Sequence, residues 1–255
     1  MRRARLIQLV TAGLVFSSSA WIWFGNDLAR RFEDSTPSRS QGTTNDGWLE
    51  HGKRLPTKGQ NFRAYSRLGT ALGRNTVHGQ VRETVAMAYA GAHATLPDVK
   101  FVYGETGWPS GGPFSPHRTH ENGLSVDFMV PVRTREGIPT VLPTWPWHKF
   151  GYAIEFDLEG VWRSLRIDFL AIAVHLEELE DAAQKQGLTI DRVIFAPELV
   201  EQLSKVRGGR ELVARLPFMR GKPWVRHDEH YHVDFTIRAT QQQHAADGAA
   251  RRRCS

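Results

Sequence analysis

The chain has 255 residues, 40% of them hydrophobic and 24% charged, a balance that excludes a wholly disordered or collagen-like chain. Its 33 basic and 27 acidic side chains leave a net charge of +6; Arg2, Arg3 and Arg5 supply half of that excess, so it does not mark a nucleic-acid-binding face. The single cysteine, Cys254, excludes an intrachain disulfide and a cysteine-based metal site.

Met1–Arg5 is basic, and Leu6–Phe24 follows without a charge, the arrangement that translocation machinery reads as a secretory segment. Residues 1–27 are expected to form a signal peptide, with Ser18-Ser19-Ala20 as a cleavage site, or an N-terminal membrane anchor. Either alternative keeps the positive end in the cytoplasm and sends the rest of the chain outward. Residues 28–50, polar and without apolar periodicity over 33–46, are expected to be a linker. Residues 51–240 are expected to form one folded domain and 241–255 a frayed basic tail.

Within the domain, Val81, Val85, Ala88 and Ala92 predict a helix over Gly79–Thr95. Leu165, Phe169, Ile172, Ala173, Leu176 and Leu179 predict a longer one over Arg163–Gln186, ended by Gly187. Strands are expected at Val99–Gly104, Leu124–Val132, Tyr152–Phe156, Arg192–Ala196 and Tyr231–Ile237. The mixture predicts an α+β fold, mainly antiparallel sheet with flanking helices.

Five of the eleven histidines fall in two short windows: His117 and His120, then His227, His230 and His232. Imidazole is both the commonest metal ligand and a proton carrier near neutral pH. In the first strand Leu124, Val126 and Phe128 alternate with Asp127; in the second, Tyr231, Val233 and Phe235 alternate with His230, His232 and Asp234. If the two strands are neighbours, Asp127 and His232 converge and His120 arrives from the preceding loop. Two imidazoles and one carboxylate leave a fourth tetrahedral position for water, the mark of a catalytic zinc site, with His230 two residues away on the same face. A purely structural zinc and a coincidental polar surface are the alternatives. Asp234 is either an acceptor that orients a ligand imidazole or a surface carboxylate. Trp108, Trp224 and Tyr231 are either groove walls or core. His51, His93, His148, His175 and His244 are expected to be solvated.

The order His120-x6-Asp127 followed by His230-x-His232 resembles the LAS zinc metallopeptidases (lysostaphin, D-Ala-D-Ala peptidase, hedgehog), and within them the penicillin-insensitive murein endopeptidases. GETGWPSGGPFSPHRTHENGLSVDF (Gly104–Phe128) is similar to that family's glycine-rich loop, H-x-x-H-x-x-G-L-x-V-D run and strand; HDEHYHV (His227–Val233) is similar to its H-x-x-H-x-H segment. Weaker similarity runs from Leu55 to about Ile237. The resemblance implies an LAS-type domain with zinc held by His120, Asp127 and His232. It makes His230 the catalytic base or transition-state stabiliser and His117 and His227 accessory histidines of the catalytic site. It implies a periplasmic endopeptidase that hydrolyses D-alanyl peptide cross-links of peptidoglycan, with zinc-bound water as nucleophile. A carboxypeptidase of the same zinc group and a non-catalytic wall-binding domain are the competing readings. Two features depart from the family: enteric members carry several disulfides, and Ser110 stands where an arginine is expected.

Overall fold

The computed structural model describes residues 19–221 and 223–238. The expected tail and residues 1–18 of the expected leader lie outside the described residues.

Residues 19–31 are helical (α1). Strands β1 (Arg39–Thr43) and β2 (Asp46–Glu50) form an antiparallel hairpin. Residues 28–50, expected as a linker, therefore carry a helix end and a hairpin: Leu49 and Gly47 are buried and Gly112 donates to the Gly47 carbonyl. The hairpin binds the glycine-rich loop through its backbone, which a hydrophobic-periodicity reading does not detect. Strand β3 (Lys53–Arg54) precedes β4 (Phe62–Ala64), α2 (Arg67–Ala71) and β5 (Thr76–Val77), and β3 pairs with β5.

Helix α3 (Gly79–Thr95) has the predicted bounds. His78 starts it, its Nδ1 accepting the Gln80 N–H and so satisfying one of the unpaired donors of the first turn. Strands β6 (Phe101–Tyr103) and β7 (Ser125–Met129) follow. Next come β8 (Val132–Thr134), β9 (Pro139–Thr140), β10 (Val161–Trp162) and β11 (Leu165–Ile167), which form a small antiparallel sheet. Residues 152–156, predicted as a strand, are not one. Gly151 at φ 109 turns the chain, Ala153 N bonds the His148 carbonyl, and Phe156 N is taken by the Asp228 side chain.

Helix α4 (Phe169–Lys185) starts six residues later than predicted, because Asp168 caps it by accepting the Ala171 N–H and 165–167 pair with β8. Gly187 adopts φ 73 just beyond its end, as a helix stop requires. Strand β12 (Leu188–Ile194), helices α5 (Pro197–Ser204) and α6 (Gly209–Arg215), and β13 (His230–Ile237) complete the described chain.

The central sheet has the order β12-β13-β7-β6-β4, antiparallel except for the β6–β4 pair. The fold is mixed α+β with mainly antiparallel sheets. Val126 and Phe128 of β7 and Tyr231, Val233 and Phe235 of β13 lie in one hydrophobic core with Val81, Val85, Ala88, Ile172, Leu176 and Leu179 of α3 and α4. Each Val, Leu, Ile or Phe side chain among these contributes roughly 1.5–3 kcal/mol by leaving water. His175, expected to be solvated, belongs to this core. It is fully buried, stacks on Tyr89 at 4.8 Å and shares a 2.7 Å hydrogen bond with the Tyr231 hydroxyl. Period-2 alternation therefore turns Asp127, His230, His232 and Asp234 onto the opposite face of the sheet.

Candidate metal centre

Strands β7 and β13 are neighbours, and their register sets His232 directly opposite Asp127. Cross-strand partners bring their side chains within reach, and His232 Nδ1 lies 2.8 Å from Asp127 Oδ1. His120 enters from the loop before β7 with its backbone at φ 77, in the left-handed region that a non-glycine residue adopts only when its surroundings impose it. Its Nδ1–H is 3.2 Å from the Thr106 carbonyl, which leaves Nε2 facing Asp127 Oδ1 at 3.3 Å. This Nε2 is buried and makes no hydrogen bond, an expensive condition for a polar atom unless something else pairs with it.

The second Asp127 oxygen has different neighbours. Tyr152 donates its hydroxyl to Oδ2 at 2.9 Å, while His230 Nε2 and His117 Nδ1 stand 3.7 Å and 3.8 Å away. The same Tyr152 hydroxyl accepts the Glu105 N–H at 2.8 Å, which fixes the ring. Gly104 allows this: a Cβ there would meet the Tyr152 hydroxyl at 2.5 Å and Asp127 Cβ at 2.9 Å. Asp127 is fully buried. Burial alone raises a carboxyl's pKa, but His120 and His230 outweigh it and hold Asp127 well below its ordinary range.

His117, His120 and Asp127 form a buried to half-buried group whose ligand atoms all lie within 4.8 Å, close enough to hold one metal ion. His232 meets the same Asp127 oxygen as His120. The donor set of imidazole nitrogens and one carboxylate suits a divalent transition metal. The electrostatics fit as well. Burial opposes protonation of His232, yet Asp234 and Asp127 outweigh it and raise its pKa to about 10. A site that holds a proton between two carboxylates also favours a cation in the proton's place.

Four residues beyond the predicted six complete the arrangement. Asp234, left open as orienting group or surface carboxylate, is buried and takes His232 Nε2–H at 2.8 Å; Ser125 and Arg192 bond its oxygens in turn. Glu229 takes His230 Nδ1–H at 2.8 Å. Glu105 receives His117 Nε2–H at 2.7 Å, Tyr65 at 2.6 Å and Arg74. Burial raises the Glu105 carboxyl, but His117, Arg74 and Tyr65 bring it down to about 2. Tyr152 is the fourth. Only Asp234 carried a sequence signal, its alternation with His232. The contacts of Tyr152, Glu105 and Glu229 depend on how loops fold over the sheet.

A cavity of about 420 Å³ opens onto the cluster, lined by Tyr65, Arg74, Glu105, His117, Tyr152, Trp224, His227, Glu229, His230 and His232 among others. Trp224 is thus a wall, Tyr231 is core, and Trp108 is half-buried against Phe114 and Arg74. His227, at 4.7 Å ring to ring from His230, gives its Nδ1–H to the Val225 carbonyl. Burial, then the neighbouring His230, lower it to about 4, so it is neutral with Nε2 as an acceptor. His230 goes the other way. Burial opposes its charge, but Asp127 and Glu229 outweigh that and raise it. The two neighbouring rings at the cavity floor thus differ in how readily they hold a proton, His230 more and His227 less. No protein-family model and no curated protein matches the chain.

Proposed function

We propose that the protein is a zinc-dependent endopeptidase of the LAS type, acting outside the cytoplasmic membrane on D-alanyl peptide cross-links of peptidoglycan. The observation that carries this reading is the meeting of His120 Nε2 and His232 Nδ1 on one oxygen of Asp127, while His230 and His117 approach the other oxygen at 3.7 Å and 3.8 Å. His120, Asp127 and His232 would hold the zinc. His117 is the less suitable third ligand: its Nε2 is committed to Glu105, and its Nδ1 faces the oxygen that Tyr152 already holds.

Bound zinc supplies Lewis acidity, enough to polarise a scissile carbonyl and lower the pKa of water to ~7. The chain's own residues supply the rest. Glu229 fixes His230 with Nδ1 protonated, so Nε2 takes a proton from water and passes one to the leaving amine, as a general base and acid must. His227 accepts from a substrate N–H or an incoming water. His117, anchored by Glu105, stands in the cavity wall. Glu105 and Asp234 are positioning residues, since each acts through a histidine.

Purified cross-linked muropeptide dimers provide the test. Mass spectrometry should show dimers converted to monomers by scission at the D-alanyl bond to diaminopimelate, with loss on chelation and recovery on adding zinc. Release of a terminal D-alanine alone would identify a carboxypeptidase. Binding of intact dimers without turnover would identify a wall-binding domain.

A further inference from the structure

We propose that α1 and α2 together form a surface that lies in the headgroup region of a phospholipid bilayer while the folded domain sits on it. This proposal does not depend on the hydrolase reading.

One side of α1 is fixed to the domain. Asn26 is buried, donates to the Leu55 carbonyl and the Thr57 hydroxyl, and accepts from Asn75. The opposite side is apolar and open. Trp21, Phe24 and Leu28 are spaced i, i+3 and i+7, so they make one stripe along the helix, and Phe32 follows in the turn that ends it. Their exposure runs from 47% to 81%. The stripe widens onto α2. The Trp21 indole donates to the Ala71 carbonyl at 3.3 Å, beside Leu72, and the Arg67 guanidinium stacks 4.1 Å over Trp23, beside Leu68. Leu68 and Leu72 are 44% and 55% exposed. A contiguous patch of this kind, on two elements, marks an interaction surface.

Three observations favour lipid over a protein partner. Tryptophan with phenylalanine and leucine on one face, edged by basic residues, is the composition of helices that lie in a membrane interface. Arg31 follows Leu28 by three residues and Arg67 packs over Trp23, and basic groups near an anionic leaflet strengthen the attraction to it. The patch also continues in sequence from Leu6–Ser18, which has no charged side chain and follows Arg2, Arg3 and Arg5. No helix of the described residues is long and apolar enough to cross a membrane; it is the hydrogen bonds of Asn26 that hold α1 against the domain with its apolar side turned outward. Tyr65 and Arg74, which flank α2, line the cavity; the contact thus holds that wall of the cavity close to the bilayer.

The test uses the full chain with Cys254→Ser and one new cysteine, Phe24→Cys or Leu28→Cys, carrying an environment-sensitive fluorophore. Ile138→Cys, exposed on the small sheet, is the control. The probe is a vesicle of phosphatidylcholine and phosphatidylglycerol with or without acyl-chain quenchers. The labels at 24 and 28 should shift to the blue on vesicles and lose emission to the quencher, and the label at 138 should do neither. Vesicle-bound protein whose labels at 24 and 28 stay unquenched would overturn the proposal, since the preceding segment alone would then be the tether. So would a blue shift that appears without lipid and grows with protein concentration, which would assign the patch to a second copy of the chain. Protein that does not bind the vesicles at all would overturn it too.

Discussion

Tyr152 shows how a single side chain outside the histidine motifs governs the centre. Its hydroxyl gives a hydrogen bond to Asp127 Oδ2 and takes one from the Glu105 backbone, so it decides which carboxylate oxygen turns toward His120 and His232. Tyr152→Phe keeps the ring and removes both bonds. Partners of this kind are worth 10–100-fold in metal affinity, so zinc should bind about that much more weakly to a variant with an unchanged circular dichroism spectrum. Competition with a chelator of known affinity measures it; unchanged affinity would remove Tyr152 from the account. His120, Asp127, His230 and His232 were legible from spacing and strand alternation, whereas the roles of His117 and His227 came only from the family resemblance. Asp127 and His232 sit at polar positions of alternating strands, and the histidine windows are too dense for chance. Tyr152 was not legible. Its segment was expected to be a strand, and its contact arises from a loop tied down by Gly151, Asp228 and isolated backbone bonds.

At the scale of elements, helix α4 and strand β13 are joined through a titratable group. His175 Nδ1 pairs with the Tyr231 hydroxyl in a core of Tyr89, Phe101 and Phe128. Burial lowers its pKa from the ordinary 6.5 to about 3. A histidine with a lowered folded-state pKa is neutral when folded and protonated when unfolded. Its contribution to stability is therefore fully present above pH 6.5 and falls away as the pH drops toward 3. The slope is about 1.4 kcal/mol per pH unit from one such group. His175→Gln keeps an acceptor for Tyr231 and abolishes the titration. Denaturant unfolding of metal-free protein between pH 7.5 and 5 should find the variant less stable at the upper end, with the deficit shrinking by about that slope below pH 6.5. A constant deficit would mean that His175 is charged or hydrated in the folded state. The sequence placed α3 to the residue and found the end of α4 at Gly187. It missed the start of α4 because the apolar spacing continues through β11, and only the Asp168 cap ends the ambiguity. It also took His175 for a solvated residue, since a single polar residue in a helical period says nothing about which neighbours enclose it.

The molecule as a whole is larger than the domain expected from residue 51 onward. The hydrophobic core extends from Leu55 to Phe235, but α1 and the β1–β2 hairpin are attached to it by hydrogen bonds rather than by apolar periodicity. Asn26 carries much of that attachment. Asn26→Leu removes the hydrogen bonds to the Leu55 carbonyl, the Thr57 hydroxyl and the Asn75 amide, each worth about 0.5–1.5 kcal/mol. The midpoint of urea unfolding should fall accordingly. A chain trimmed after Ala20 keeps this joint, whereas one trimmed after Asp27 loses it and should be similarly weakened. Equal stability of the two trimmed forms would mean that α1 contributes nothing to the fold.

The central claim is that His120, Asp127 and His232 hold the metal and that His230 moves the proton without holding it. Zinc content and muropeptide hydrolysis should be measured on the same preparations of the wild type, His120→Ala, Asp127→Ala, His232→Ala, His117→Ala and His230→Ala. The first three variants should lose zinc and turnover together. His117→Ala should keep its zinc and lose part of its activity. His230→Ala should keep a full equivalent of zinc while turnover drops about 10²–10⁴-fold, the usual share of a positioned acid–base group. Loss of zinc from His117→Ala with retention in His232→Ala would move the ligand to the other histidine. Near-normal hydrolysis by His230→Ala, or by zinc-free wild type, would contradict the account.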